Sequence, residues 1–168
     1  MAKSQELLKG GDLQTAYAFA VEAQTSIQQV MLSAGDQGSD HLIEATENVA
    51  DIIRQAALGG GEDSRTALLY YIRNLDMAVH LHGLDSHKVI TLHIQVGVLL
   101  ASIGKHEEAL QHLQSAMYAV KLVGGKEHPM IVQILQRIAE IRQGMDPTNP
   151  QNMQDVFTLL SLARKKSW

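Results

Sequence analysis

Residues 83–87 of the chain read Gly-Leu-Asp-Ser-His, and residues 125–129 read Gly-Lys-Glu-His-Pro, at an offset of 42 positions. Apolar and small residues recur in the same register on both sides of these segments. The matching pairs are Ala67 and Ala109, Leu68 and Leu110, Val89 and Ile131, Leu92 and Ile134, and Val96 and Ile138. A third copy begins with Gly-Ser-Asp-His at 38–41, at an offset of 45. Self-similarity with a period in this range predicts a repeat protein.

Each copy predicts two helices joined by a turn, because apolar residues recur at three- and four-residue steps between the turn signals. Ser64 and Ser86 are expected as N-caps, Pro129 as a first helical residue, and Gly104 and Gly124 as helix stops. The expected helices are 12–34, 40–58, 64–82, 87–103, 106–123, 129–143 and 152–165. The predicted fold class is all-α, a right-handed superhelical solenoid of antiparallel helix hairpins.

The expected organisation is a single domain over 1–168. It comprises the second helix of an incomplete repeat at 4–36, repeats at 38–82 and 83–124, and a degenerate repeat with a C-terminal capping helix at 125–168. Gly97, Gly104, Ala109, Leu113 and Ala116 have the spacing of a tetratricopeptide (TPR) repeat. Glycine inside a helix costs about 1 kcal/mol relative to alanine. We therefore expect the second helix of the hairpin to pass close to Gly97, at Ala109 and Ala116.

Composition limits the classes of function. The chain has 168 residues, of which 45% are hydrophobic and 4% aromatic, with no Cys and a net charge of −4. The lack of Cys excludes disulfide frameworks and thiolate zinc sites, and the negative charge argues against a general attraction to nucleic acid. No apolar run reaches the roughly 18 residues of a membrane span, and the N-terminal residues do not resemble a signal peptide. We expect cytoplasmic localisation without membrane insertion.

The 42-residue period and the segments at 83–87 and 125–129 resemble the kinesin-light-chain type of TPR repeat. The stretches 11–17 (Gly-Asp-Leu-Gln-Thr-Ala-Tyr), 26–30 (Ser-Ile-Gln-Gln-Val) and 66–69 (Thr-Ala-Leu-Leu) resemble the TPR region of the clustered-mitochondria (clueless-type) family. That resemblance implies a cytosolic protein that acts in mitochondrial distribution and associates, directly or through a bridging protein, with messenger RNA and ribosomes.

The sequence offers little support for catalysis or for a bound cofactor. The eight histidines do not match the spacing of zinc motifs, since His80 and His82 point to different sides of a helix and His106 and His112 are six residues apart. Neither Gly104-Lys105 nor Gly125-Lys126 is followed by Ser or Thr, which excludes a phosphate-binding loop. We therefore expect no enzymatic activity, no cofactor and no metal site.

Binding of a protein or an extended peptide is the function that the repeats favour, because the first helices of stacked hairpins line a concave surface. The partner-binding residues expected on this surface are Thr91, Gln95, Ser102, Gln133, Gln136, Arg137 and Glu140. The corresponding positions of the preceding repeat are expected to be Thr46, Val49, Ala50 and Ile53.

Three alternatives stay open at this point. The segment Arg164-Lys165-Lys166 with Trp168 could bind RNA directly, and a kinesin-light-chain-like cargo adaptor is a competing role. Homo-oligomerisation through uncapped ends of the solenoid is the third, because open-ended repeats tend to stack on a second copy.

Overall fold

The computed structural model describes residues 40–56, 61–125 and 128–145, together with positions 15, 18–19, 22–23, 25–26, 29, 154, 156–161 and 165. Five helices lie in the continuous segments: α1 (Asp40–Ala56), α2 (Gly61–His82), α3 (His87–Ser102), α4 (His106–Gly124) and α5 (Pro129–Met145). No strand occurs among the residues so described. The positions described within 12–34 and 152–165 are helical, but the bounds of those two predicted helices lie outside the described residues.

The chain divides into two compact units, Met1–Leu81 and His82–Trp168. The division falls between Leu81 and His82, at the C-terminal end of α2.

In the first unit, α1 and α2 form a hairpin with a polar contact inside its apolar interface. Thr46 and Asn74 are buried, and the hydroxyl of Thr46 donates toward Oδ1 of Asn74. The amide of Asn74 also donates to the carbonyl of Ile43 over 3.4 Å. Nearby, the hydroxyl of Tyr71 donates to a carboxylate oxygen of Asp51. A buried polar group without a partner is costly. These hydrogen bonds therefore favour one alignment of α1 against α2.

In the second unit, α3 packs on α4, and α5 packs on both. Ser86 caps α3 as predicted, since its hydroxyl accepts a hydrogen bond from the amide of Val89 over 3.3 Å. Gly104 has a φ of 82°, which a residue with a side chain rarely adopts. The chain therefore reverses there, and Lys105 donates its amide to the carbonyl of Leu100 over 2.9 Å. Pro129 is the first residue of α5, also as predicted.

Two predicted helix ends are wrong. Ser64 does not cap α2, because the helix already begins at Gly61 and Ser64 lies in its first turn. Gly124 does not stop α4, because it is the last helical residue, and the positive φ of 71° belongs to Gly125. In both cases the helix includes residues that the turn signals had assigned to the connection.

The close approach predicted at Gly97 is confirmed, although Leu113 rather than Ala116 is the nearest side chain. A Cβ atom placed on Gly97 would lie 3.0 Å from Cγ of Leu113 and 3.1 Å from the backbone oxygen of Ala109. The second of these atoms belongs to the α4 backbone and cannot turn aside. A side chain at Gly97 would therefore require Leu113 or the α4 backbone to move by a few tenths of an ångström.

Burial also corrects the alignment of the first hairpin. The buried residues of α1 are Leu42, Ile43, Thr46, Val49, Ala50, Ile52 and Ile53, and those of α3 include Val89, Ile90, Val96, Gly97, Leu99 and Leu100. The apolar members of the two sets superimpose at an offset of 47, not 45. Thr46, Val49, Ala50 and Ile53 are thus core residues and are not available to a partner. At the corrected offset, Thr91, Gln95 and Val98 correspond to Glu44, Asn48 and Asp51, so this face of α1 is acidic.

Candidate interaction surfaces

A cleft of about 220 Å³ lies between α3 and α5, next to the first residue of α4. We call it the A-face groove, and define it by Val98, Ala101, His106, Arg137, Glu140 and Ile141. Its walls come from the first helices of two successive hairpins, which is where the repeat pattern predicted a partner to bind. The combination of apolar side chains with a few polar groups is typical of sites that hold a polypeptide segment.

Arg137 and Glu140 provide the charge of the A-face groove. The guanidinium of Arg137 donates to Oε2 of Glu140 over 2.9 Å, and the two side chains are 52% and 61% exposed. An exposed ion pair of this kind contributes at most about 1 kcal/mol to stability. The pair can therefore be exchanged for contacts with a partner at little cost to the fold.

The other five predicted site residues lie on α3 and α5 but outside the described lining of the groove. The hydroxyls of Thr91 and Ser102 donate to carbonyls of α3 itself, at His87 over 2.9 Å and at Leu99 over 2.8 Å. Gln133 and Gln136 are exposed on α5. Gln95 is half-buried, and its side-chain oxygen has no hydrogen-bond partner among the described residues. The prediction of all seven as one binding set is untested.

A larger cleft of about 740 Å³ lies along α4 and the residues that precede α3. We call it the outer groove, and define it by Leu84, Asp85, His93, Ser115, Tyr118 and Leu122. Leu84, Tyr118 and Leu122 are between 63% and 68% exposed. Single exposed apolar residues are common on protein surfaces, but three around one cleft are typical of an interaction surface. The repeat pattern does not predict this surface.

At the edge of the outer groove, His93 of α3 meets His112 of α4. Their Nδ1 atoms are 3.0 Å apart, and the ring centroids are 5.2 Å apart at an interplanar angle of 45°. Burial lowers the pKa of His93 to about 4, and the neighbouring His112 adds to this effect. Burial also lowers the pKa of His112, against the opposing influence of Glu108. Both imidazoles are therefore neutral at pH 7.

The sequence contained a signal for this pair that the spacing of histidines along the chain did not reveal. Gly97 is opposite Ala109 in the antiparallel hairpin, so residues one turn further from the connection also face each other. One turn back from Gly97 is His93, and one turn beyond Ala109 is His112. Comparing positions across the hairpin would have identified a pair that a search for local motifs cannot find.

Comparison with known proteins supports the fold and does not identify a family. No protein-family model and no curated protein matches the sequence. Among solved structures, the chain is similar to BtubC (BKLC) from P. vanneervenii, a kinesin light chain-like, TPR-like helical protein. The match has a TM-score of 0.61 and 15% sequence identity, and it covers 98% of this chain and 70% of that chain. The all-α, TPR-like repeat fold predicted from the sequence is thereby confirmed.

None of the helices in the described part of the chain is long and apolar enough to cross a membrane.

Proposed function

We propose that this protein is a non-enzymatic scaffold that binds an extended segment of a partner protein in the A-face groove. The observation that carries the proposal is that Arg137 and Glu140, two of the predicted residues, flank the apolar side chains of Val98 and Ile141 in one cleft. Proteins built from helix hairpins commonly bind polypeptides in this way. A cleft of about 220 Å³ is small for a drug-sized ligand but accommodates individual side chains of a peptide.

The outer groove is a second candidate surface for the same kind of function. Its exposed Tyr118 and Leu122 lie one helical turn apart on α4, and Leu84 lies across the cleft. A partner helix with an apolar face fits this arrangement better than an extended peptide does, since helices bind grooves through side chains spaced at one face. Tyrosine is also enriched among residues that dominate binding energy.

One capture experiment separates the two surfaces. Proteins retained from cytosolic lysate by the wild-type chain are quantified beside those retained by two surface variants. The A-face variant carries Arg137→Ala and Glu140→Ala, and the outer-groove variant carries Tyr118→Ala and Leu122→Ala. All four side chains are largely exposed, so both variants should keep the helical circular dichroism of the wild type. We expect a partner that the A-face variant loses at least tenfold and the outer-groove variant retains. Equal retention by wild type and the A-face variant would refute the proposed site.

The sequence motifs support a narrower proposal about biological role. The segments 11–17 and 66–69 resemble the clustered-mitochondria family, which implies cytoplasmic localisation, a role in mitochondrial distribution and association with messenger RNA. Capture from lysate with and without nuclease tests this role. Recovery of messenger RNA together with a protein that stays bound after nuclease treatment would support indirect association through that protein. Recovery of no messenger RNA would contradict the proposal.

Two further proposals concern the ends of the chain. Direct RNA binding was predicted for Arg164, Lys166 and Trp168, which lie outside the described residues, whereas Lys165 is described and exposed. Homo-oligomerisation was predicted through the ends of the solenoid, most of which also lie outside the described residues. A binding titration with RNA at low salt and sedimentation over a concentration series test these two proposals. The cargo-adaptor alternative predicts a partner of the A-face groove that associates with a motor protein.

A further inference from the structure

Two exposed apolar side chains lie on the helical segment 156–161. Phe157 is 74% exposed and Leu160 is 46% exposed, whereas the neighbouring Val156 is buried. Residues three apart on a helix lie on the same side. The exposed and helical Lys165 follows Leu160 by five positions. We call Phe157, Leu160 and Lys165 the C-terminal ridge. The exposure of Phe157 shows that this ring does not fill the outer groove of its own chain.

We infer that the C-terminal ridge of one copy of this chain binds in the outer groove of a second copy, which rests on the proposal above that this groove is an interaction surface. The groove presents the exposed side chains of Leu84, Tyr118 and Leu122 and fits a partner helix with an apolar face. Phe157 and Leu160 form such a face. Every copy carries both elements, so two reciprocal contacts form one two-fold dimer.

The charges of the two elements are complementary. Asp85 is the only side chain charged at pH 7 among the described residues that line the outer groove. Residues 154–168 include three basic residues and one acidic residue, whereas the whole chain has a net charge of −4. The rest of each copy is therefore net negative. Opposite charges steer two surfaces together and favour one orientation of the contact.

The area of these contacts is sufficient for a dimer. The exposed fractions of the five apolar side chains, three in the groove and two on the ridge, correspond to about 600 Å² in one contact. Two reciprocal contacts therefore bury about 1,200 Å², which is the lower limit for a specific interface. We expect a dimer that exchanges with monomer at micromolar concentrations and not a permanent one.

The test is analytical ultracentrifugation of the full chain over a concentration series. The outer-groove variant carries Tyr118→Ala and Leu122→Ala, and the ridge variant carries Phe157→Ala and Leu160→Ala. The control is Leu69→Ala, which changes an equally exposed leucine on α2. We expect wild type and control to dimerise with the same Kd, and each double variant to dimerise at least tenfold more weakly. A wild type that stays monomeric would overturn the inference, and so would dimerisation that neither double variant weakens, as expected for stacking of solenoid ends.

An exchange of charges tests the same contact without removing apolar side chains. Asp85→Lys and Lys165→Glu each bring like charges together in both contacts of a homodimer, so each variant alone should dimerise more weakly than wild type. In an equimolar mixture the two variants form a heterodimer in which both contacts join opposite charges. We expect the mixture to associate more tightly than either variant alone, and added salt to weaken the wild-type dimer. A mixture that associates no more tightly than its components would overturn the inference.

The sedimentation result is independent of the A-face groove. A monomeric wild type would overturn self-association and leave the capture experiment on the A-face groove unaffected. If the outer-groove variant then loses a different protein from the lysate, that protein, and not a second copy, occupies the outer groove. Failure of the A-face variant to lose a partner would refute the proposed binding site without changing the dimerisation of wild type.

Discussion

Replacing Gly97 by leucine tests the packing on which the second hairpin depends. Even a Cβ atom at this position would lie 3.0 Å from the side chain of Leu113 and 3.1 Å from the backbone oxygen of Ala109. Contacts of that kind force neighbouring atoms to move, and overpacking of a core costs about 1–3 kcal/mol. The better helix propensity of leucine offsets less than 1 kcal/mol of this cost. We expect Gly97→Leu to lower the free energy of unfolding by about 2 kcal/mol.

Urea denaturation followed by circular dichroism measures this change, and a thermal scan should show a decrease in Tm of about 4–8 °C. A matched pair of alanine variants isolates the contact itself. Gly144 lies in the last turn of α5, next to its final residue, and a Cβ atom there would meet no atom within 4 Å. Gly144→Ala should therefore raise stability, by up to about 1 kcal/mol, whereas Gly97→Ala should not. Equal stabilisation by both substitutions would show that α4 does not approach α3 closely at Gly97.

Three further substitutions test individual contacts by urea denaturation. Tyr71→Phe should lower the free energy of unfolding by about 1–2 kcal/mol, because it removes the hydrogen bond to Asp51; no change would mean that the bond is absent. Ser86→Ala should cost about 1 kcal/mol through loss of the cap on the amide of Val89, and a neutral result would dismiss the cap. Since burial lowers the pKa of His93 to about 4 from a normal value of 6.5, the unfolded chain binds more protons than the folded chain between these pH values. Stability should therefore decrease as pH falls through this range, and His93→Gln should show a weaker decrease than wild type. An identical pH dependence in the two chains would contradict the burial of this ring.

The sequence was sufficient for the helices because each boundary has a local cause. Ser86, Gly104 and Pro129 act on the residues next to them, so their effects can be inferred without the tertiary structure. Ser64 misled the prediction because glycine is not a strict helix stop, and α2 includes Gly61. The residue at which a helix begins or ends is thus predictable where one capping or turn residue is present. It is not predictable where two such residues indicate different ends.

The candidate site was only partly predictable, because contacts across helices depend on register. The period of 42 placed Arg137 and Glu140 on the first-helix face, where the A-face groove lies. An offset error of two residues was enough to move Thr46 from the core to the expected surface. The outer groove could not be inferred, since exposed Tyr118 and Leu122 have the same local pattern as buried apolar residues of α4. Distinguishing them requires knowledge of where the neighbouring helices stop.

The change of repeat offset also shows where this chain tolerates additional length. The buried faces of α1 and α3 are 47 residues apart, whereas those of α2 and α4 are 42 apart, so the first hairpin holds five more residues between its two buried faces. The helices themselves take up most of the difference, since α1 continues to Ala56 and α2 starts at Gly61. These additional residues leave the alignment of the buried residues of α1 with those of α3, and of α2 with those of α4, intact. The segment between Ala56 and Gly61 is therefore a rational position for inserting an epitope or a fluorophore-binding tag, which would label the protein while both candidate grooves keep their native residues.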